Sequence, residues 1–262
     1  MTSVRHQNLT RYIVPLREGG SLPALAGADD GFQYAVKFKG AGHGSKSLIS
    51  ELIGGLVAKA FKFNVPEIVF LNLNQLFGIT EPDREIQDLL RKSEGLNLGL
   101  HFLSGAVTFD PSVNKIDSLL ASKIVWLDAF ITNVDRTRLN PNMMVWHNEL
   151  WLIDHGASLY FHHSGKDPHE AAKDPFPYIK SHVLLPYATL LTEADKLMRQ
   201  AITPRTLSKI VDNLPEEWLF EEGSEKSAEM VKEEYKVFLT ERLAQSKIFV
   251  EKAIEEHKKI IQ

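Results

Sequence analysis

The chain has 262 residues, 44% of them apolar and 24% charged, with a net charge of −4 and no cysteine. This is an ordinary globular composition, enough for one two-lobed domain or two small ones. It excludes disulfides and thiolate metal centres, its dispersed Lys and Arg leave no nucleic-acid footprint, and no apolar run approaches the roughly 18 residues that span a bilayer. The opening segment MTSVRHQNLTRYIVPL lacks the apolar h-region of a signal peptide, so a cytoplasmic protein is the default expectation.

Residues 10–40 read as strands: RYIVPL, a Gly-rich turn at Gly19, Gly20 and Ser21, then QYAVKFKG, with hairpin-turn chemistry at Asp29, Asp30 and Gly31. Over 48–61 the apolar residues Leu48, Ile49, Leu52, Ile53, Leu56, Val57, Ala60 and Phe61 recur at helical spacing. VPEIVFLNLN is one strand or a strand pair, the polar stretch 74–94 is helix or loop, and 95–107 reads as a strand running into a Gly-punctuated crossover. A helix is predicted over 115–132. Further helices are predicted around 183–200, after the Thr203-Pro204 start signal, and as one long amphipathic segment over 228–261. A strand-rich first hundred residues before a helical remainder suits a small sheet lobe on a larger helical one.

The most informative stretch is NVDRTRLNPNMMVWHNELWLIDHGASL, residues 133–159. An N-x-D-R loop with downstream asparagines is followed by two short apolar runs and an I-D-x-G turn, the order in which a kinase-type phosphotransferase presents its catalytic parts. Asp135 is the candidate that orients an acceptor hydroxyl, and Arg136 holds either the loop or a phosphate. An isolated Asp-Arg pair would read as a surface ion pair. Asn140 and Asn142 both offer a hard, neutral oxygen to magnesium. Asn140 has the five-residue spacing of the kinase loop, whereas Asn142 stands at the start of an apolar strand, which fixes where its amide points. Asn-Pro-Asn alone would be a turn. Asp154, at the end of a buried strand, needs a cation or donors to offset its desolvation, and Gly156 permits the turn that follows.

Upstream, Lys37 lies within the apolar strand YAVKF, and Glu51 in the next helix is its candidate partner. The plainer reading puts Lys37 and Lys39 together on a wet face. Gly19, Gly20 and Ser21 are candidates to cover phosphates with backbone N–H groups. A competing motif, Gly40-Ala41-Gly42-His43-Gly44-Ser45-Lys46-Ser47, nearly spells a Walker A loop but has Ser45 where the second glycine belongs. His155, His162, His163 and His169 cluster in sequence, but neighbours on an extended segment face opposite ways, which favours structural roles over joint metal ligation.

Together, EGGSLPA (18–24), YAVKFKGAG (34–42), the NVDRTRLNPN loop and LWLIDHGASLYFHH (150–163) resemble the bacterial HipA-like kinases, particularly their compact single-domain group, and more distantly the phosphatidylinositol-kinase-like superfamily. The resemblance covers about residues 10–190. It implies an α+β, bilobal protein-kinase-like fold with a β-rich N-lobe (1–103) and a helical C-lobe (104–262). It also implies ATP and Mg2+ bound between the lobes and γ-phosphoryl transfer to a Ser/Thr hydroxyl of a protein substrate, possibly the chain itself. In that frame Asp135 is the catalytic aspartate, Asn140 or Asn142 joins Asp154 as metal ligand, and Lys37 contacts phosphate. Ile68–Leu71 or, preferably, His101, Phe102 and Leu103 flank the adenine. The alternatives are a pseudokinase or nucleotide-binding regulatory module, nucleotidyl transfer on the same fold, and a small-molecule or lipid acceptor. The additional N-terminal subdomain of the toxins of this family is not accommodated at this length, so a toxin role does not follow.

Overall fold

The computed structural model describes residues 3–16, 22–42, 44–75, 77, 81–220 and 223–260. Five strands close into a barrel in the order β1 (Arg5–Pro15), β2 (Ala24–Ala28), β3 (Gln33–Lys37), β5 (Gly95–His101), β4 (Ile68–Leu73). All pairings are antiparallel except β1 with β4, the parallel seam that closes the barrel. Side chains alternate across each strand, so Ala24, Ala26, Tyr34, Val36, Val69 and Leu71 fill the interior as one core cluster. The other faces of β4 and β5 send Ile68, Phe70, Leu98 and Leu100 into a second, larger core around α1 (Gly44–Ala60).

That larger core continues through the rest of the chain. It takes in α3 (Ser118–Phe130), whose N-terminus is capped by Asp117, and the helices after it: α6 (Leu191–Ala201), α7 (Pro204–Val211), α8 (Glu216–Leu219), α9 (Ala228–Ala244) and α10 (Lys247–Ile260). A three-stranded sheet joins β6 (Val107–Thr108), which precedes α3, to β7 (Met143–Trp146) and β8 (Glu149–Leu152), which follow it ahead of the short helices α4 (Phe161–Ser164) and α5 (Pro168–Ala172). Arg242 of α9 is completely buried and donates to the carbonyls of Ala129 (2.7 Å) and Phe130 (2.9 Å) at the end of α3, and to those of Ala172 and Asp174. Burial, against the pull of Asp174, brings its pKa down to about 9.

Several elements differ from the sequence expectation. β2 (ALAGA) carries none of the β-branched residues that announce strands, yet its alanines alternate into the barrel. Residues 74–94 resolve into α2 (Arg84–Lys92), capped by Asp83, whose side chain accepts from the Glu85 amide at 2.9 Å. The long helix expected over 228–261 breaks at Gln245 and Ser246, where the Ser246 hydroxyl turns to Asp195 (2.6 Å). The helix expected from 183 starts only at Leu191, after single 3-10 turns at Pro177–Ser181 and Leu185–Tyr187.

Candidate functional site

Strand alternation decides where Lys37 points. Tyr34 and Val36 occupy the barrel interior, so Lys37 takes the opposite face, toward α1 rather than water. There Nζ lies 2.5 Å from Glu51 Oε2 and 2.5 Å from Asp154 Oδ1. Glu51 is wholly buried in an otherwise apolar stretch of helix. Burial opposes the Lys37 charge, yet the two carboxylates raise its pKa above the ordinary value. Burial also opposes the Glu51 charge, and Lys37 and His155 nonetheless bring its pKa well below the ordinary one.

Asp154 follows β8 and adopts a left-handed backbone (φ 51°), which aspartate tolerates better than most residues. The Gly156 amide donates to its Oδ1 at 3.3 Å, and the side chain remains 44% exposed. His155 turns the other way: its amide donates to Glu51 Oε2 at 2.9 Å, and its ring is fully buried against α1 at Gly54. A Cβ at Gly54 would lie 2.7 Å from His155 Cβ, so glycine is what lets this turn approach the helix. At Gly156 a Cβ would sit 3.3 Å from Lys37 Nζ, crowding the space in front of the ammonium.

The loop carrying Asp135 is held from two sides. The amides of Val134 and Leu159 donate to the carbonyls of Ala157 (3.3 Å) and Ile131 (2.8 Å), tying the loop to the segment after Gly156. Asn140 Nδ2 (2.7 Å) and Asn142 Nδ2 (3.2 Å) both donate to Asp135 Oδ2. An ionised carboxylate only accepts, so both amide NH2 groups face it and both amide oxygens are directed elsewhere. Asn142 is 8% exposed, with a left-handed backbone (φ 49°), and its carbonyl accepts from the Ile153 amide at 3.0 Å. It therefore joins the Asp135 loop to the residue before Asp154, whereas Asn140 is exposed on the loop surface.

Arg136 does not face the solvent. Its guanidinium is buried and donates to Asp128 Oδ2 (2.5 Å), to the Asn142 carbonyl and to the Ile153 carbonyl (3.4 Å). Of the two roles open to it from sequence, holding the loop is the one its contacts support. Asp128, Asn133 and His182 complete this brace; Asn133 opens the N-x-D-R motif, whereas Asp128 and His182 were not singled out from the sequence. Asn133 Nδ2 donates to Asp128 Oδ1 at 3.0 Å, and His182 Nε2 meets Asp128 Oδ2 at 2.8 Å. The Leu184 amide donates to His182 Nδ1, which leaves the proton on Nε2 for Asp128. Burial raises the Asp128 pKa, but Arg136 and His182 together take it far below the ordinary value. Burial keeps the His182 pKa below its own, despite Asp128. An acidic residue inside the apolar run IVWLDAF was the available signal for Asp128; His182 lies too far along the chain to give one.

The remaining sequence candidates fall elsewhere. Gly19, Gly20 and Ser21 lie outside the described residues. His101 and Leu103 line a different cavity and make no hydrogen bond or ion pair with Lys37, Glu51 or Asp154 among the described residues, while the Phe102 amide donates to the Gln33 carbonyl at 2.9 Å. The Walker-like segment has its Gly40, Ala41 and Gly44 amides engaged by Ser93, Phe38 and Ala41, so they are not free to cradle phosphate. His162 bonds Tyr235 and His169 bonds Glu241. Among the described residues no group of three or more His, Asp or Glu gathers as a metal cage.

The sequence profile of the HipA-like kinase family matches residues 10–251. No curated protein sequence matches the chain. Among solved structures, the Helicobacter pylori proinflammatory kinase CtkA is similar with a TM-score of 0.58 at 14% identity, over 97% of this chain and 99% of that one. The Golgi casein kinase with Mn/ADP bound is similar with a TM-score of 0.51, also at 14% identity, over 96% of this chain and 74% of that one. At such identities the likeness concerns the fold, which in both cases is a kinase fold. The profile match extends over most of the sequence, and the chain belongs to the HipA-like kinase family.

Proposed function

We propose that this protein is an ATP-dependent kinase that binds Mg-ATP in a cleft between a barrel lobe and a helical lobe and transfers the γ-phosphoryl group to a protein Ser/Thr hydroxyl. The carrying observation is that Lys37, Glu51 and Asp154, from three separate elements, meet within 2.5 Å contacts, while Asn142 links the Asp154 turn to Asp135. Family membership supports the phosphotransferase class, and the neighbour holding Mn/ADP supports a nucleotide with a divalent cation.

The donor set fits magnesium. The half-exposed Asp154 carboxylate and the Asn142 amide would offer a sparse set of hard ligands, suited to an ion that shares its shell with phosphates and water. When bound, such an ion neutralises charge that develops on the phosphates. Lys37, kept protonated by its two carboxylates, contacts phosphate oxygens, and Glu51 fixes its direction. Asp135 keeps Oδ2 on its asparagines and presents Oδ1 to the acceptor hydroxyl, which it orients and whose proton it accepts. The Leu103 amide has no hydrogen-bond acceptor among the described residues and is the backbone donor offered to adenine.

Incubation with ATP labelled at the γ or the α phosphate, with a mixed protein acceptor and with the chain alone, tests this reading. Label on Ser or Thr from the γ position only is expected. Transfer of α label would make it a nucleotidyltransferase, and no transfer with retained nucleotide binding would make it a regulatory module.

A further inference from the structure

Beneath the turn that follows Asp154 lie buried polar atoms that the contacts of Lys37 leave over. Among the described residues both donors to Glu51 meet the same oxygen, Oε2: Lys37 Nζ at 2.5 Å and the His155 amide at 2.9 Å. The other oxygen, Oε1, is buried and accepts no hydrogen bond among those residues. Facing it at 3.6 Å is Nδ1 of the His155 ring. Both ring nitrogens are buried and without a hydrogen-bond partner among the described residues, and neither side chain has exposed surface.

A buried polar group without a partner is costly, so a histidine is an unfavourable residue merely to fill this space. The ring lies against α1 at Gly54, where a Cβ would come within 3.3 Å of its Cγ and 3.4 Å of Ile131 Cδ1. A leucine would suit such surroundings, but it would offer no N–H toward Glu51. An imidazole always carries at least one N–H, and the place of that proton decides how well it fits here. On Nε2 alone, it would be a buried donor without an acceptor, and the Nδ1 lone pair would be turned on a carboxylate. On Nδ1 it faces Oε1, and a side-chain shift of about half an ångström brings the pair within the range of an N–H···O bond.

We propose that His155 is a positioning residue: its Nδ1–H closes on Glu51 Oε1 and fixes the carboxylate that aims Lys37. The consequence for Lys37 rests on the kinase reading, in which Asp154 turns to the cation and leaves Lys37 to Glu51. A glutamate head held through one oxygen is free to swing about its terminal bond, and the lysine would swing with it. His155 grips both oxygens, one by its backbone amide and one by its ring. The turn that presents Asp154 thereby also sets the direction of the ammonium beside it.

Nitrogen NMR of the intact protein, labelled at histidine and assigned against His155→Asn, reads the position of the proton. A protonated Nδ1 is expected; a bare Nδ1 with the proton on Nε2 overturns the proposal. Phosphate transfer supplies the second arm. His155→Leu, similar in size to the native residue, should lower kcat about tenfold with the KM for acceptor unchanged, the loss expected of a misdirected group. His155→Asn, whose amide nitrogen can stand where Nδ1 does, should recover most of that loss. In a Lys37→Met background His155→Leu should cost about twofold at most, because the lysine it serves is gone. Full multiplication of the two losses, or an asparagine no better than leucine, would show that the ring only fills space. The proton is located without any phosphate transfer. An inactive parent protein would therefore sink the kinase reading and leave the contact with Glu51 to be judged on Nδ1 alone.

Discussion

The Nε of Arg136 lies 2.5 Å from Oδ2 of Asp128, and neither side chain has exposed surface. The residue next to the proposed catalytic aspartate therefore works inward. Its guanidinium fork gathers a helix carboxylate and the carbonyls of Asn142 and Ile153, one from each half of the site.

Removing Arg136 strands Asp128 as a buried charge beside a neutral imidazole. Arg136→Ala should cost about 3–5 kcal/mol in urea unfolding, the usual penalty for breaking a buried pair. Arg136→Lys should recover only part of it, because an ammonium cannot reproduce the planar fork. Equal stability of Arg136→Ala and the parent protein would show that the brace is dispensable.

Lys37→Met should reduce phosphate transfer by about 10²-fold or more, since a preorganised charge at the phosphates is lost. Asp154→Asn should weaken magnesium-dependent nucleotide binding at least tenfold in calorimetry while leaving metal-free binding nearly unchanged. If the two kinds of binding fall together, Asp154 supports the fold rather than the cation.

The two asparagines are separable. Asn142→Ala should raise the Mg2+ concentration needed for half-maximal activity at least tenfold, and Asn140→Ala by much less. Because Asn142 has a left-handed backbone, its alanine variant also carries strain of roughly 1–2 kcal/mol. Asn142→Gly removes that strain, so a metal defect that persists in the glycine variant assigns the effect to the amide.

Stability should fall as pH is lowered through the histidine range. Burial, with His163 and Lys46, depresses the His162 pKa from 6.5 to about 3, and burial depresses that of His182. Between those values for His162 the unfolded chain binds a proton that the folded one refuses. Its contribution is complete above pH 6.5 and is lost progressively as pH drops toward 3. The slope approaches about 1.4 kcal/mol per pH unit for each such group. His162→Gln should flatten the melting-temperature profile between pH 6.5 and 5; an unchanged profile would mean that the imidazole titrates normally. Glu51 and Asp128, both depressed carboxylates, add a further loss that begins below about pH 4.5 and deepens with acidity.

The local chemistry of the site was readable because its signals are local. An aspartate closing an apolar strand, a lysine inside another and asparagines at the start of a third each violate their surroundings in a few residues. Lys37 with Glu51 followed from the same reasoning, since a helix glutamate is a cheap partner for a strand lysine. What pattern could not supply is the brace. His182 reaches Asp128 across 54 residues, and a lone histidine between a serine and a valine announces nothing. β2 escaped because alanine and glycine carry no strand preference, and the break at Gln245 and Ser246 because it depends on Asp195 from another helix. Expectations for Gly19, Gly20 and Ser21 concern residues outside those described.

The four carbonyls gathered by Arg242 give the last helices a hold on the first step of the Asp135 loop. A premature stop ahead of that arginine would leave the end of α3 without its clasp, just before Thr132 and Asn133 turn toward Asp135. Nonsense lesions between the end of α7 and Arg242 should thus behave as null alleles, even though they delete none of the proposed phosphate-handling side chains.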